Sequence, residues 1–558
     1  MALDLVFLWH MHQPDYRDHG SGEHVLPWVY LHALKDYTDM AAHLERHPGV
    51  RAVVNFVPVL LDQIEDYCRQ FETGRFRDPL LRLLAEPDLD DLSATDRQLL
   101  LAACFRSNHS TMLTPFPRYQ RLRDLQQLLT REGEAALGYL SGSYFADLLT
   151  WYHLVWCGES ERRQQALLAE LMSKGEGYSL EDRQQLLALI GRILKGLIPR
   201  YRALMERGQI EISTTPQTHP LAPLLLDFHA ARETLPEAPL PLASEYPGGR
   251  SRVVAQIEQA WQSHQRHFGT SAQGMWPAEG AISTPLLPLL AASGCRWIAS
   301  GQGVLNHSLA SHVTHDVRAP YHPWHCPVAP ELSLFFRDER LSDLVGFEYA
   351  KWHGRDAARH FIAQLEAILA TAPTDETPVV SVILDGENAW EHYPYNAYYF
   401  FEDLYGLLEQ HAEIRTTTYS ELLGRPHPPS STSLPGITAG SWVYGTLSTW
   451  IGDPEKNRAW DLLCSAKRSY DLILSSGRLS PAEQAAATTQ LSICESSDWF
   501  WWFGDYNPQS AVASFDHLYR DNLRRLYRLL QLQPPAQLDV PISSGSGSAQ
   551  GGTMRRVT

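Results

Sequence analysis

The sequence lacks the features that would place it in a membrane, around a zinc–thiolate centre or beside a nucleotide. No run of the chain approaches the roughly 18 uninterrupted apolar residues that a membrane-spanning helix requires. The seven cysteines include no Cys-x-x-Cys pair, which argues against a zinc–cysteine site, and their odd number favours a reducing compartment. Phosphate-binding loops, dinucleotide fingerprints, serine-hydrolase elbows and zincin helices are also missing. These absences exclude nucleotide-dependent chemistry, serine hydrolysis and zincin proteolysis at the level of motifs.

Basic residues are fewer than acidic residues in this chain. The chain carries 47 Lys and Arg against 64 Asp and Glu, a formal net charge of −17. Such a balance repels a phosphate backbone and an anionic membrane surface, so we expect no nucleic-acid partner and no membrane partner. The first residues show neither a basic stretch nor a small-residue cleavage site, which predicts a cytoplasmic protein.

Aromatic residues, by contrast, are abundant: the 558 residues include 16 Trp, 24 Tyr and 18 Phe. With 44% hydrophobic and 20% charged residues the chain has enough apolar material for a large core. The tryptophan count exceeds what a core needs, and it suggests a ligand with flat apolar faces.

Short apolar runs alternate with long helical patterns along the chain. This alternation is typical of parallel strands joined by crossover helices, and it predicts a β/α barrel. The runs lie at 3–9, 52–57, 210–213, 296–299, 332–336 and 379–384.

Two strand-poor regions complete the predicted organisation. Amphipathic segments at about 85–205 indicate a helical insertion, and a Pro/Ser/Thr-rich stretch at 424–436 reads as a linker before further helices. We therefore predict a catalytic barrel over 1–430, a helical C-terminal domain over 431–540 that closes the cleft, and a disordered tail over 541–558.

Two histidines end the first predicted strand. His10 and His12 project to the same face of a strand, so both imidazoles reach the carboxyl-end mouth of a barrel. They could bind sugar hydroxyls or a metal, and a metal would need a third ligand that the sequence does not identify.

Two isolated carboxylates come next along the chain. Glu211 lies inside an apolar strand pattern, where it faces either a polar cavity or solvent, while His219 before Pro220 is a weaker candidate. Glu279 follows Trp276 on a segment made tight by proline. That segment suits a rigidly held nucleophile beside an aromatic ring, although a helix N-terminus would read the same way.

Two carboxylates, Asp385 and Glu387, emerge together where the predicted strand at 379–384 ends. Crowded acids in a desolvated mouth raise one another's pKa, which keeps a general acid protonated near neutral pH. An ordinary Asp-Gly turn is the alternative, and Trp390 just beyond makes it less attractive. Gly386 between the acids is expected to permit a sharp turn.

A dense aromatic segment lies at 495–507, where three Trp and two Phe accompany Asp498. Aromatic faces such as that of Trp501 stack on the apolar faces of sugar rings, while carboxylates bind the hydroxyls. A core-only explanation would have to bury three indole N–H groups and two acids with partners.

These five regions, in this order, resemble those of glycoside hydrolase family 57, and the resemblance spans about residues 5–530. Intermediate segments are similar to the amylopullulanase and α-amylase-like branch. The resemblance implies an incomplete (β/α)7 barrel with a helical insertion and a C-terminal helical domain. It also implies a retaining enzyme that acts on α-glucans such as starch, glycogen or maltodextrins, without a metal or organic cofactor.

By position in the motifs, Glu279 would be the nucleophile and Asp385 the general acid/base. The other residues implied to bind the substrate are His10, His12, Glu211, Trp276, Glu387, Trp390, Asp498 and Trp501. Cleavage of α-1,4 bonds is the leading hypothesis, with α-1,6 bonds as an additional target.

Other activities remain open. A 4-α-glucanotransferase or a branching enzyme would use the same carboxyl pair but pass the glycosyl unit to a sugar. A zinc-dependent α-mannosidase or polysaccharide deacetylase would use the histidines as metal ligands. A non-catalytic glycan-binding protein would need only the aromatic residues.

Overall fold

The computed structural model describes residues 2–310 and 318–546. Within them one sheet runs through the molecule. Its strands are β1 (Leu3–Met11), β2 (Ala52–Phe56), β3 (Ile210–Thr214), β4 (Gly274–Met275), β5 (Trp297–Ser300), β6 (Trp324–Cys326), β7 (Ala329–Phe336), β8 (Val379–Asp385), β9 (Ile414–Thr416) and β10 (Thr432–Ser433).

Seven of these strands form a parallel, curled sheet in the order β7-β5-β4-β3-β2-β1-β8. Strand β6 is antiparallel to β7, β10 extends β6, and β9 adds to β1. Among the described residues, the two ends of the parallel sheet are joined by an isolated bridge between Arg337 and Ser381 and not by a full ladder of strand hydrogen bonds. The predicted incomplete (β/α)7 barrel is confirmed.

The first strand shows why the pattern folds in this way. All nine residues of β1 are buried, as expected for a parallel strand covered on both faces. Phe7 and Trp9 pack with the helices outside the barrel, whereas Val6 and Leu8 belong to a separate apolar cluster inside it. Because side chains alternate along a strand, His10 continues the inner face at the carboxyl end.

Helices cover the outside of the sheet. Those that follow the strands of the barrel are α1 (Trp28–His32), α2 (Thr38–Arg46), α3 (Pro58–Thr73), α11 (Ala222–Leu226), α12 (Gly249–Phe268), α13 (Leu287–Ala292), α14 (Gln302–Ala310), α15 (Glu339–Asp343), α16 (Gly354–Thr371), α17 (Tyr398–Gln410) and α18 (Tyr419–Leu423).

A helical block between β2 and β3 corresponds to the predicted insertion. After α3 it contains α4 (Pro79–Ala85), α5 (Ala94–Ala103), α6 (Pro117–Arg131), α7 (Gly142–Val155), α8 (Glu159–Gln164), α9 (Ala166–Lys174) and α10 (Leu180–Glu206). The long α10 begins at a capping box, in which Ser179 and Asp182 satisfy each other's backbone N–H groups. It leads the chain back to the start of β3.

The C-terminal region is helical. It comprises α19 (Pro454–Ser475), α20 (Pro481–Cys494), α21 (Asp498–Trp502) and α22 (Gln509–Leu529). Its core includes Trp460 stacked on Phe500, with ring centroids 4.0 Å apart.

The chain stays packed beyond α22, and this differs from the predicted tail. Ile542 and Ser543 are buried, and both backbone N–H groups donate to Asp516. Residues 541–546 of the predicted tail are therefore part of the described structure, while 547–558 lie outside the described residues. No helix in the described part of the chain has the length and apolarity needed to cross a membrane.

Candidate active site

A cavity of about 1050 Å³ opens at the carboxyl ends of the parallel strands. Its wall combines barrel residues, the segment at 105–110 of the insertion and parts of α21 and α22. Seven of the ten predicted site residues line it: His10, His12, Glu279, Asp385, Glu387, Asp498 and Trp501. The sheet thus brings together side chains that are hundreds of positions apart in the chain.

A row of polar side chains crosses the sheet at the floor of the cavity. Strand register places Asp385 beside His10, and His10 beside Asn55. Asn55 in turn lies beside Ser213 and donates to its hydroxyl over 3.0 Å. The carbonyl oxygen of Asn55 accepts from Thr215 Oγ1 at 2.9 Å and from His10 Nδ1 at 2.7 Å. The proton of His10 therefore sits on Nδ1.

Three histidine rings stack on one another: His10, which belongs to this row, His12 and His219. The ring centroids of His12 and His219 are 3.9 Å apart, and His10 Nε2 lies 3.2 Å from His219 Nε2. With its proton on Nδ1, His10 accepts from His219, whose own Nδ1 accepts from Ser497 Oγ at 2.9 Å. Burial and the neighbouring His12 lower the pKa of His10 to about 3. The same causes hold the pKa of His219 well below its ordinary value, so both imidazoles are neutral at pH 7.

Glu279 is fixed by its backbone and by one tryptophan. It follows Pro277 with a φ of 59°, in the left-handed region. The backbone N–H of Trp442 donates to the Glu279 carbonyl at 3.0 Å, and its indole Nε1 donates to Oε2 at 2.9 Å. Burial is the main cause that raises the pKa of Glu279 to about 8; the hydrogen bond from the Trp442 indole opposes the rise, and the charges of Asp385 and Asp498 add to it.

Asp385 and Glu387, at and just after the end of β8, form a pair of carboxyl groups in the wall of the same cavity. Asn388 donates to Asp385 Oδ2 at 2.8 Å, and Gln13 donates to Glu387 Oε1 at 3.1 Å. Burial raises the pKa of both groups, and the charge of Asp385 adds to the rise at Glu387. Glu387 Oε2 has no hydrogen-bond partner in the described protein. A buried carboxyl group in this state is ready to meet a hydroxyl of a ligand.

His12 and Asp498 form one of the contacts that couple the barrel to the C-terminal helices. His12 Nε2 lies 2.9 Å and 3.0 Å from the two carboxylate oxygens of Asp498, which also accepts from Ser496 Oγ at 2.5 Å. Asp498 begins α21, and Trp501 and Trp502 at the end of that helix line the cavity. The aromatic segment predicted for sugar binding is therefore divided, because Trp499 is fully buried.

Glu211 does not reach the cavity, contrary to the sequence prediction. Its carboxylate accepts from the Trp297 indole at 2.7 Å and from the Ser420 backbone N–H at 3.0 Å. Ser420 belongs to α18, which follows β9 beside the beginning of β1. Glu211 thus ties the floor of the barrel to α18, at the end remote from the cavity.

Trp276 and Trp390 are also structural rather than open to a ligand. Trp276 is fully buried against Trp442, with ring centroids 5.1 Å apart. Trp390 is 1% exposed, packs edge-on against Trp9 and donates its indole N–H to the Gly386 carbonyl at 2.8 Å. Neither ring presents a face on which a sugar could stack.

Two residues of the site are not among the ten predicted site residues, although His219 was noted as a weaker candidate. His219 takes the place expected of Glu211, at a φ of 61° just after β3. Its signal was the histidine before Pro220, which alone is weak. Trp442 lies beyond the linker, and nothing in the local sequence relates it to Glu279.

In the part of the chain that the structure describes, two groups of side chains could hold a metal ion. His12, His219 and Asp498 place donor atoms within 4.8 Å of one another in the cavity. Their donor atoms already pair with protein groups, so a metal would have to replace those hydrogen bonds. Asp62, Glu65 and His267 form a second group on α3 and α12.

Comparisons with known proteins place this geometry in context. The model of a family described as glycosyl hydrolase family 57 matches residues 6–435. None of the curated proteins matches the sequence.

Solved structures share the whole fold at low identity. The branching enzyme of Pyrococcus horikoshii is 16% identical with a TM-score of 0.60, covering 95% of this chain and 90% of that one. A branching enzyme of Thermococcus kodakaraensis is 17% identical with a TM-score of 0.58, at the same coverage. The α-amylase AmyC of Thermotoga maritima is 13% identical with a TM-score of 0.57, covering 95% and 93%.

Proposed function

The chain belongs to glycosyl hydrolase family 57, and from this premise we propose that it cleaves α-1,4 glucosidic bonds of α-glucans with retention of configuration. The observation that carries the proposal is the pair of desolvated carboxyl groups, Glu279 and Asp385, in one aromatic-lined cavity. Burial raises the pKa of Glu279, and the charge of Asp385 adds to the rise. Such a pair shares its protons, so one group can be ionised while the other is protonated.

In the first step the Glu279 carboxylate attacks the anomeric carbon. Asp385 gives its proton to the glycosidic oxygen as the bond between that oxygen and the anomeric carbon breaks. The left-handed backbone and the two hydrogen bonds from Trp442 hold Glu279 in one orientation. A fixed nucleophile loses little entropy on reaching the transition state.

In the second step water attacks the same carbon. Asp385, now ionised, takes a proton from that water, and the oxygen of Glu279 leaves as a carboxylate. The new bond forms on the face from which the first sugar left, so the α configuration is retained. A sugar hydroxyl in place of the water would give transfer instead of hydrolysis.

The neighbouring polar groups would orient the sugar between the two carboxyl groups. The neutral His10 and His219 add no charge to the cavity, so they do not trap the ionised form of either catalytic acid. His12, Glu387 and Asp498 offer donors and acceptors to ring hydroxyls, and Trp501 offers an aromatic face. An uncharged polymer of glucose, as in starch, glycogen or maltodextrins, fits this lining.

Transfer is the second candidate. At about 1050 Å³ the cavity lies at the upper end of the range for small-ligand sites, near 300–1,000 Å³. A cavity of this size has room for an acceptor sugar beside the donor. A 4-α-glucanotransferase or a branching enzyme would use the same chemistry with that acceptor in place of water.

Two substitutions test the roles of the carboxyl groups. We expect Glu279→Gln to lower kcat on amylose at least about 1000-fold, because the covalent step is lost. Asp385→Asn should impair both steps. Glu258→Gln, on the exposed face of α12, is the matched control and should keep wild-type rates. Wild-type release of reducing ends by Glu279→Gln would disprove the proposal.

The products of the wild-type enzyme separate its possible activities. Maltoheptaose yields only shorter chains under hydrolysis but also longer ones under transfer. A new α-1,6 branch in amylose indicates a branching enzyme, and cleavage of pullulan indicates α-1,6 activity. Proton NMR of the first product shows the α anomer if configuration is retained. Full activity after exhaustive chelation excludes the zinc-dependent alternatives.

A further inference from the structure

Three aromatic side chains are exposed together outside the cavity. Tyr395, Tyr399 and Trp352 have 57%, 48% and 43% of their surface exposed. Most large aromatic side chains of this chain are buried, and eight tryptophans are among its most deeply buried residues. We call these three residues the aromatic shelf. A group of exposed rings in one place is typical of an interaction site.

The shelf lies beside the rim of the cavity. Glu391 and His392 line the cavity, and Tyr395 follows three residues later, which keeps its Cα within about 11 Å of that of His392. Phe347 also lines the cavity, and the same segment continues to Trp352. Two segments therefore leave the cavity and end in exposed rings.

The two segments also meet each other. A Cβ placed on Gly354, two residues after Trp352, would lie 3.1 Å from the backbone carbonyl carbon of Tyr399. The Trp352 ring packs on Tyr349, with centroids 5.5 Å apart, and Tyr349 packs on Phe400, next to Tyr399. The exposed rings thus belong to one continuous surface beside the cavity.

An unusual backbone presents Tyr395 to solvent. Tyr395, Asn396 and Ala397 have φ values of 54°, 51° and 61°, all in the left-handed region. Residues other than glycine rarely adopt this conformation, so surrounding contacts must maintain the turn. Buried hydrogen bonds do so: Lys35 donates to Asn396 Oδ1, and Asn396 donates to Asp39, each over 2.9 Å.

Arg163, from the insertion, fixes the second ring. Its Nη2 donates to the Tyr399 hydroxyl at 3.0 Å, and its guanidinium lies over the rings of Tyr398 and Tyr399 at 4.2 Å and 5.2 Å. Tyr395 meets Tyr399 edge to face at 5.4 Å. Rings held in this way lose little side-chain freedom when a ligand stacks on them.

We propose that the aromatic shelf is a second, non-catalytic binding site for an α-glucan chain. This proposal rests on the proposed function, because the occupant is taken to be the same polymer that enters the cavity. A long chain that leaves the cavity past Glu391 and His392 would next meet Tyr395 and Tyr399. The shelf would hold long or branched glucans near the catalytic pair, and a short oligosaccharide would not reach it.

Affinity electrophoresis in gels that contain glycogen measures this binding directly. We expect Tyr395→Ala/Tyr399→Ala to raise the dissociation constant for glycogen about tenfold, equivalent to about 1.4 kcal/mol. Trp352→Ala, on the other segment, should weaken binding by a smaller factor, which guards against misfolding of one variant. Tyr139→Ala, at a tyrosine 88% exposed on the insertion, is the matched control and should be retarded like the wild type.

Kinetics separate the shelf from the catalytic site. The double variant should raise KM for amylose several-fold while its melting temperature and its rate on maltoheptaose stay those of the wild type. Retardation equal to the wild type in both shelf variants overturns the proposal. So does a wild-type dimer that the shelf variants convert to monomer, because a second copy would then cover the rings. Failure of the proposed function would show separately, as undiminished activity of Glu279→Gln.

Discussion

Two residues of the active site adopt a backbone conformation that side chains other than glycine rarely take. Glu279 and His219 have φ values of 59° and 61°. Each lies in the loop that follows a parallel strand, His219 after β3 and Glu279 after β4, where the chain turns over the mouth of the barrel. The strain is offset by fixed contacts, such as the Trp442 backbone N–H on the Glu279 carbonyl. Strain at such positions is part of how a site is prearranged.

The indole of Trp442 should control the ionisation of Glu279. Its hydrogen bond to Oε2 favours the carboxylate and lowers the pKa of Glu279 against the effect of burial. Trp442→Phe removes that bond, so the pKa rises and the nucleophile ionises only at higher pH. We expect the acidic limb of the kcat/KM profile to move up by about one pH unit. A limb that stays in place while kcat falls would mean that Trp442 only packs against the sugar.

The charge of Glu279 should also cost stability. Its pKa is about 4.5 when unfolded and about 8 when folded, so the folded state holds the proton more tightly. Ionisation of Glu279 therefore lowers the stability of the wild type as pH rises from 4.5 to 8, and this contribution is absent from Glu279→Gln. By pH 8.5 the variant should gain roughly 2 to 4 kcal/mol relative to its difference at pH 4.5.

Thermal melting of both proteins at the two pH values measures this gain. The exposed Glu258→Gln should show the same difference from wild type at either pH. If the difference in stability between Glu279→Gln and the wild type is also the same at both pH values, Glu279 is ionised in the folded protein without penalty.

At the residue scale, the sequence located the carboxyl groups better than the packing. Glu279 was singled out by its tight segment after Trp276 and Pro277, Asp385 by its place after an apolar strand, and both lie in the cavity. Glu211 and Trp276 share the same regions but point into the barrel core. Period-two alternation tells which face a side chain occupies but not its height along the barrel axis, so it could not separate Glu211 from Ser213 above it.

At the element scale, the junction of β1 and β8 sets the site. Gly386 was expected to provide a sharp turn, yet it is not among the glycines with positive φ. Its role is close approach: an added Cβ would lie 2.0 Å from the Met11 sulfur, and the Gly386 N–H donates to the His10 carbonyl at 2.7 Å. The missing side chain lets Asp385 and Glu387 sit directly beside β1.

Gly386→Ala should therefore disturb both folding and catalysis. We expect a loss of about 1–3 kcal/mol from overpacking and at least a tenfold fall in kcat as the carboxyl groups shift. Met11→Ala in the same protein should restore part of both, because it removes the clash. Gly196→Ala in α10, where an added Cβ meets nothing within 4 Å, is the control. Additive losses in the double variant would contradict this explanation.

Long elements were predictable and short ones were not. The six predicted runs overlap β1, β2, β3, β5, β7 and β8, because buried parallel strands are continuous apolar stretches. Strand β4 has two residues and β10 has two, too few to show a period. The short β4 nevertheless carries the chain to Glu279, so the pattern of hydrophobicity alone could not place Glu279 after a strand.

At the scale of the whole molecule, the end of the described chain fastens the C-terminal helices. Ile542 is 4% exposed, and the backbone N–H groups of residues 542 and 543 donate to the carboxylate of Asp516 on α22. Removal of 541–558 should cost about 2 kcal/mol or more, mostly from the buried isoleucine. Removal of 547–558 alone, predicted to be disordered by composition, should leave the melting temperature unchanged. Equal melting temperatures for the two truncations would show that residues 541–546 contribute nothing.

The contact between His12 and Asp498 spans 486 positions of the chain. The first strand leaves the ribosome early, but its partner carboxylate is made only after every strand of the described sheet. During synthesis the barrel residues that line the cavity are therefore present for a long interval without the helix that completes its wall. The order of the chain itself delays completion of the cavity until α21 has been made.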